Sequence, residues 1–257
     1  MKTAQRHQLK EDEFLVALDH GRTIVAENSR SILLALGVVL LVALSISGYT
    51  LWRRSINEKA AALYADAIVT ANAPVQPPTP PAKPGEPAPP APPVRAGVTF
   101  PTEQARTDAA IQKFDAAAKA YPSTPAGIAA TYRAGTLLAE ANKFPEAEAK
   151  FTEVQQRDGS GLYGQMARLA VASIQLDTKK YDQAINTLQA MTQRTDGDLP
   201  VDGILMQLGD AYKRAGRMPE AVRAYTRVVD EFPKSPYLAD ARKQLDELKA
   251  AQGASRS

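Results

Sequence analysis

The sequence contains no cysteine and only two histidines, His7 and His20, both near the N-terminus. The absence of cysteine excludes disulfide bonds, thiolate zinc sites and cysteine nucleophiles. The 31 basic and 28 acidic residues give a net charge of only +3, and the basic residues are spread along the chain. Nucleic-acid binding requires them to be clustered in a patch or stripe. The composition therefore predicts no nucleic-acid partner, and it leaves the cellular compartment open.

The sequence also lacks the short motifs that mark common active sites. The zinc-protease, P-loop, dinucleotide-binding and serine-hydrolase motifs are all absent. Thr195–Asp198 resembles a fragment of a calcium-binding loop, but the glycine and glutamate that should follow are not at the required spacing. Carboxylate pairs such as Asp230–Glu231 fall on ordinary solvated helix faces. We therefore predict that the protein is not an enzyme and has no cofactor or metal.

The longest uncharged stretch, Ser31–Trp52, contains 22 residues without a charged side chain. As an α-helix it would be roughly 33 Å long, which exceeds the roughly 30 Å hydrocarbon core of a bilayer. Tyr49 and Trp52 lie at its C-terminal end, where interfacial aromatic residues are expected, and two arginines follow. We therefore predict a transmembrane helix over residues 31–53 that contacts lipid through Ser31–Trp52.

The surroundings of this stretch leave three questions open. Ser45–Ser47 has the small-x-small form of a signal-peptide cleavage site, although 30 leading residues of balanced charge and the long apolar run are untypical of signal peptides. Basic residues lie on both sides of the run, so the positive-inside rule does not decide the orientation. Residues 1–30 form either an N-terminal tail with an amphipathic docking helix or a weakly ordered tail.

Residues 54–73 predict a further helix with an apolar stripe, and residues 74–101 contain 12 prolines in 28 positions. A segment of that composition is expected to be disordered, solvated and semi-stiff. It is either an insert within the first helical hairpin or a plain linker. The insert requires Leu63, Tyr64 and Ile68 to pack on Ile111, Phe114 or the helix that contains Tyr132.

Three kinds of anchor residue recur at a spacing of 37 residues in the C-terminal part of the chain. Each unit has a small residue in its first helix, and its second helix has an alanine followed four positions later by a large apolar residue. The small residues let the two helices approach closely. The anchors are Gly135, Ala172 and Gly209; Ala110, Ala147, Ala184 and Ala221; and Phe114, Phe151, Leu188 and Tyr225.

This period predicts an all-α fold in which one transmembrane helix is followed by a helical solenoid. The solenoid would comprise three full hairpins, a split first hairpin whose first helix is residues 54–73, and a C-terminal capping helix. It would occupy residues 102–250, and residues 251–257 would form a disordered tail. Hairpins of this kind must stack because none can bury its apolar face alone. The alternative is an unrelated alanine-rich helical bundle.

The unit Val201–Ser235 resembles a tetratricopeptide repeat, with Leu208, Gly209, Tyr212, Ala221, Tyr225 and Pro233 at the motif spacings. The whole layout resembles single-span bacterial membrane proteins with a periplasmic repeat domain, typified by the ancillary subunit of the Sec translocon. That resemblance implies an inner-membrane protein with a cytoplasmic N-terminus and a periplasmic C-terminal domain, which assists secretion by holding chaperones or emerging substrates. Phe232–Ala241 also resembles repeats of cell-division coordinators and outer-membrane assembly lipoproteins. The alternative function is therefore an envelope protein that coordinates cell-wall synthesis, division or outer-membrane assembly.

In tetratricopeptide families, the first helices of the hairpins line a concave groove that binds ligands. The lysine and asparagine clamp that such domains use for C-terminal carboxylates is missing here. Methionines in the groove adapt to varied shapes and suit a helix or an extended peptide with apolar anchors. The alternative is that these residues only pack between helices. The residues predicted to line the groove are Tyr132, Thr136, Met166, Leu169, Ser173, Met206, Asp210, Lys213 and Arg214.

Overall fold

A computed structural model describes residues 29–76, 98–193 and 199–254 of the chain. Within those ranges the chain forms helices and no named strand, so the predicted all-α fold is confirmed. The predicted N-terminal amphipathic helix, the loop at 195–198 and the last three residues lie outside the described part. The helices are α1 Ser29–Ala71, α2 Glu103–Ala120, α3 Pro125–Glu140, α4 Phe144–Arg157, α5 Leu162–Asp177, α6 Tyr181–Thr192, α7 Val201–Arg214, α8 Met218–Glu231 and α9 Leu238–Ala254.

The chain divides into two compact units, residues 1–55 and residues 56–257. In the first unit, α1 exposes large apolar side chains, including Leu34 at 71% and Trp52 at 61%. The segment Leu36–Ala71 is long and apolar enough to cross a membrane, because an 18-residue window within it has a mean hydropathy of 1.6 and no buried residue. Two helices were predicted in this region, but α1 is a single helix, because no proline between Ser29 and Ala71 interrupts it.

In the second unit, the helices from α2 to α9 each pack against the next one in the sequence. The first helices of successive hairpins also pack together, α3 against α5 and α5 against α7. This pattern defines three full hairpins, α3–α4, α5–α6 and α7–α8, with α9 as the capping helix. The predicted solenoid is therefore confirmed. Its last helix continues to Ala254, beyond the predicted boundary at residue 250.

The turn within each full hairpin contains one residue in the left-handed backbone region. These residues are Asn142 with φ 58°, Lys179 with φ 61° and Gly216 with φ 74°, and they follow one another at 37-residue intervals. Only Gly216 adopts this conformation without a Cβ penalty. The turn geometry therefore repeats with the helices, even though the residue type does not.

The close approach of paired helices accounts for the alternation of glycine and alanine. A Cβ on Gly209 would lie 2.4 Å from the Tyr225 ring, and one on Gly135 would lie 2.9 Å from the Phe151 ring. In the middle hairpin, Ala172 occupies the same position, where its partner is the smaller Leu188; both are fully buried. Each hairpin thus pairs a glycine with a ring or an alanine with an aliphatic side chain.

The split first hairpin is formed by the C-terminal part of α1 and by α2. Fully buried Ala67 belongs to the same cluster as Phe114, whose ring centroid is 5.7 Å from that of Tyr64. Ile68 packs against this cluster, whereas Leu63 is 40% exposed.

Backbone pairing joins the two ends of the proline-rich segment. The Gln76 amide donates to the Phe100 carbonyl at 2.9 Å, and the Phe100 amide donates to the Pro74 carbonyl at 3.2 Å. The Arg106 guanidinium also donates to the Ala73 carbonyl at 3.4 Å. The two described ends of the segment therefore lie together beside the first hairpin.

Candidate interaction groove

The first helices α3, α5 and α7 lie side by side, so residues 37 positions apart occupy equivalent places on them. Six of the nine predicted groove residues form two such rows. Positions i and i+4 share a helix face, so the rows are neighbours. One row is apolar and half-buried, and the other is polar. The rows are Tyr132, Leu169 and Met206, and Thr136, Ser173 and Asp210.

Three of these residues converge on one cavity of about 350 Å³ at the C-terminal end of the rows. Leu169 comes from α5, and Met206 and Asp210 come from α7. Ile204 and Leu199 add apolar surface to the same cavity. The result is a mainly apolar hollow with one carboxylate in its lining.

Tyr237 also lines this cavity, and the sequence did not predict its place there. It precedes the capping helix α9 and lines the cavity with its side chain 41% exposed. Its ring also lies 3.3 Å from where a Cβ on Gly203 would be. The periodicity contained a signal, because Tyr237 lies two periods after Tyr163, which contacts the groove residue Tyr132 with a centroid separation of 5.7 Å.

Asp210 is held in place by the second helix of its own hairpin. The Tyr225 hydroxyl donates a hydrogen bond of 2.5 Å to Asp210 Oδ1. Tyr225 is fully buried, and this burial, together with the Asp210 carboxylate, raises the pKa of the Tyr225 hydroxyl above its usual range. The carboxylate is therefore oriented by a donor that stays protonated at neutral pH.

The N-terminal end of the rows combines packing with a second, smaller cavity. The Tyr132 ring packs at a tilt against Phe151 with a centroid distance of 5.5 Å, and burial raises the pKa of the Tyr132 hydroxyl. Thr136 donates to the Tyr132 carbonyl at 3.1 Å and lines a cavity of about 220 Å³. Arg106 and Arg133 line the same cavity and were not predicted.

The other predicted residues contribute less to these cavities. Lys213 Nζ donates to Gln244 Oε1 of α9 at 2.7 Å, and Arg214 pairs with Asp177 of α5 at 3.2 Å. Both side chains are thus occupied in holding neighbouring helices. Ser173 is exposed and donates to the Leu169 carbonyl at 3.2 Å, and Met166 is half-buried on α5. Neither of these two lines either cavity.

The described ranges hold no group of three or more histidine, cysteine, aspartate or glutamate side chains that could bind a metal ion. The groove instead offers apolar surface, a few hydrogen-bonding groups and a fixed carboxylate. A surface of this composition can hold a ligand through shape and a small number of polar contacts.

Comparisons with known proteins identify the same repeat architecture. The family model described as a tetratricopeptide repeat-like domain matches residues 23–250. No curated protein matches the chain. Among solved structures, a putative kinesin light chain of Podosopora anserina with TPR-like repeats gives a TM-score of 0.50 at 14% identity, covering 60% of this chain and 82% of that one. MamA from Desulfovibrio magneticus gives 0.43 at 17% identity, covering 60% and 90%. At 14% identity, the likeness to the kinesin light chain structure shows the fold alone.

Proposed function

The chain belongs to the tetratricopeptide repeat-like domain family, and from this premise we propose that it is a membrane-anchored scaffold whose repeat groove holds a segment of another protein. Repeat folds of this family are typically interaction scaffolds without catalytic activity. The observation that carries the proposal is the cavity where Leu169, Met206 and Asp210 meet. These three residues hold repeat-related positions, and the cavity of about 350 Å³ that they line is large enough for a side chain of a bound segment.

The groove supports binding through apolar anchors rather than through a terminal carboxylate. The row of Tyr132, Leu169 and Met206 offers partly exposed apolar surface along three successive first helices. Methionine side chains such as that of Met206 adapt to different bound shapes. A helix or extended segment laid across the first helices would bury this row.

Membrane anchoring is supported by the exposed apolar surface of α1 in the first unit. Leu34, Leu41 and Trp52 are all more than half exposed. Leaving a large apolar side chain in water costs about 1.5–3 kcal/mol relative to burying it. A bilayer removes that cost along the whole stretch. The rings of Tyr49 and Trp52 have centroids 6.1 Å apart, and such aromatic residues are enriched at the membrane–water interface.

The resemblance to the ancillary subunit of the Sec translocon refines the proposal. We propose an inner-membrane location with a cytoplasmic N-terminus and the repeats in the periplasm. The partners would be translocon subunits, periplasmic chaperones or emerging secreted chains. Copurification in mild detergent separates this secretion role from the envelope-coordinating role. Translocon subunits or periplasmic chaperones among the copurified proteins support the secretion role. Wall synthases, division proteins or outer-membrane assembly factors in their place support the envelope-coordinating role.

Topology is tested by alkaline phosphatase fused after residue 257. An active periplasmic fusion and an inactive fusion after residue 28 support the proposed orientation. The reverse pattern, or release of the fusion into the soluble fraction, contradicts the anchored arrangement.

The groove is tested by the double variant Met166→Asp with Met206→Asp. We expect capture of the copurifying partner to fall, because carboxylates disrupt apolar contacts in the groove. Met218→Asp is the matched control, since Met218 is exposed on α8, a second helix. Unchanged capture by the folded double variant, with unaltered helical content by circular dichroism, counts against the groove.

A further inference from the structure

The lining of the cavity between α5, α7 and Tyr237 carries a negative charge and no positive charge. Its walls are mainly apolar, with Leu169, Met206 and Tyr237 on different sides. Asp210 supplies the only side chain in this lining that is charged at neutral pH. The volume of about 350 Å³ lies at the lower end of the range of roughly 300–1,000 Å³ for ligand pockets.

The position of the Asp210 carboxylate is fixed before anything binds. Oδ1 accepts the 2.5 Å hydrogen bond from the fully buried Tyr225 hydroxyl. The equivalent positions in the preceding hairpins are Ser173 and Thr136, whose hydroxyls donate back to carbonyls of their own helices. The polar row therefore has one charge along it, and this charge is oriented.

Nearby cations do not neutralise this carboxylate. Lys213, one turn further along α7, donates to Gln244 and lies 3.7 Å from Glu247. Arg214 pairs with Asp177 at 3.2 Å. Within the part of the chain that the structure describes, no lysine or arginine nitrogen lies within 4.0 Å of the Asp210 carboxylate. The apolar hollow is thus bordered by a negative charge without a cationic partner.

We propose that this cavity selects a basic amphipathic segment of the partner protein. An aliphatic side chain of the segment enters between Leu169, Met206 and Tyr237, and a lysine or arginine of the same segment pairs with Asp210. This inference rests on the proposed function, because it names the class of segment that the groove holds. Charge complementarity favours a basic segment over the two other classes. An acidic segment would be repelled by the Asp210 carboxylate, and a purely apolar segment would partly desolvate this carboxylate without giving it a counter-charge.

The test uses three synthetic peptides of 16 residues with blocked termini and the same leucines at helical spacing. Their polar positions are all lysine, all glutamine or all glutamate. Binding to the full chain in phosphatidylcholine nanodiscs is measured by fluorescence anisotropy, and empty nanodiscs provide the background. The variants are Asp210→Asn, which keeps an acceptor for the Tyr225 hydroxyl, and Asp230→Asn, which removes an exposed charge from α8 outside the cavity.

We expect the lysine peptide to bind the wild-type chain more tightly than the glutamine peptide, and the glutamate peptide to bind weakest. Asp210→Asn should weaken the lysine peptide about threefold to tenfold and leave the glutamine peptide unchanged, because only the ion pair is lost. Asp230→Asn should change neither peptide. Raising the salt concentration should reduce lysine-peptide binding to the wild type toward that of Asp210→Asn.

The outcomes separate this inference from the proposed function. If the lysine and glutamine peptides bind equally and Asp210→Asn changes neither, while Met206→Asp weakens both, the groove stands and the charge selection is wrong. Preferred binding of the glutamate peptide overturns the inference in the same way. If no peptide binds, and Met206→Asp does not alter partner capture, the proposed groove function itself fails.

Discussion

Gly209 sits where the helices of the last hairpin come closest, and replacing it with alanine tests the packing account. The new Cβ would lie 2.4 Å from Tyr225 Cε1 and 2.6 Å from Cζ, closer than real contacts allow. The ring has no room to retreat, because Tyr225 is fully buried and its hydroxyl is bound to Asp210 at 2.5 Å. Gly209→Ala must therefore shift the helix or break that hydrogen bond.

The magnitude follows from opposing effects on the free energy of unfolding. Alanine in place of glycine in a helix interior gains about 1 kcal/mol. Overpacking costs about 1–3 kcal/mol, and losing a hydrogen bond to a charged group costs about 1.5–3 kcal/mol. When both costs apply, we expect a net loss of about 1.5–5 kcal/mol for Gly209→Ala. Gly135→Ala should cost less, about 1 kcal/mol, because its Cβ would lie 2.9 Å from a Phe151 ring that has no hydroxyl to hold it.

A compensating variant gives the sharper result. Gly209→Ala combined with Tyr225→Leu recreates the Ala172–Leu188 pair of the preceding hairpin, which is fully buried in the native structure. The double variant should be at least about 1 kcal/mol more stable than the sum of the two single effects. Urea unfolding of the full chain in non-ionic detergent, followed by far-UV circular dichroism, measures all four proteins. A stabilised Gly209→Ala variant, or simple additivity in the double variant, would refute the reasoning.

Three further predictions concern single positions. Lys179→Gly should raise stability to urea by about 0.5–1 kcal/mol, because Lys179 holds φ at 61°, and a lower midpoint would contradict this. Because the folded protein raises the pKa of the Tyr225 hydroxyl, this group contributes its full stability below about pH 10 and loses it as the pH rises further. The thermal midpoint of the wild type should therefore decline above about pH 10, and Tyr225→Phe should make that decline less steep. Trp52 is the only tryptophan, so brominated lipids should quench the protein's tryptophan fluorescence if α1 enters the bilayer, and unquenched emission would contradict anchoring.

Periodicity predicted the hairpins well because close helix packing constrains the anchor residues themselves. Gly209 and Tyr225 must fit each other, so their spacing records the contact directly. The same reasoning could place Met206 and Asp210 on one helix face, but not their neighbours. Tyr237 lies in a turn before α9, and only the docking of that turn brings it to the cavity.

The contacts of the charged residues Lys213 and Arg214 could not be predicted from the sequence. The helix face of Lys213 and Arg214 followed from spacing, whereas their partners did not. Gln244 on α9 and Asp177 on α5 lie more than 30 residues away in sequence and became neighbours only through stacking. Long side chains choose among several acceptors within reach, and a periodic pattern does not specify that choice.

The central claim is that a partner segment lies across the first helices of the hairpins. A photo-crosslinking amino acid placed at Ser173 or at Met206 of the full chain, in native membranes, tests it most directly. Asn186 is the control position, because it is exposed on α6, a second helix. The account predicts the same adduct from Ser173 and Met206 and none from Asn186. An adduct from Asn186 alone, or equal adducts from all three positions, would contradict it.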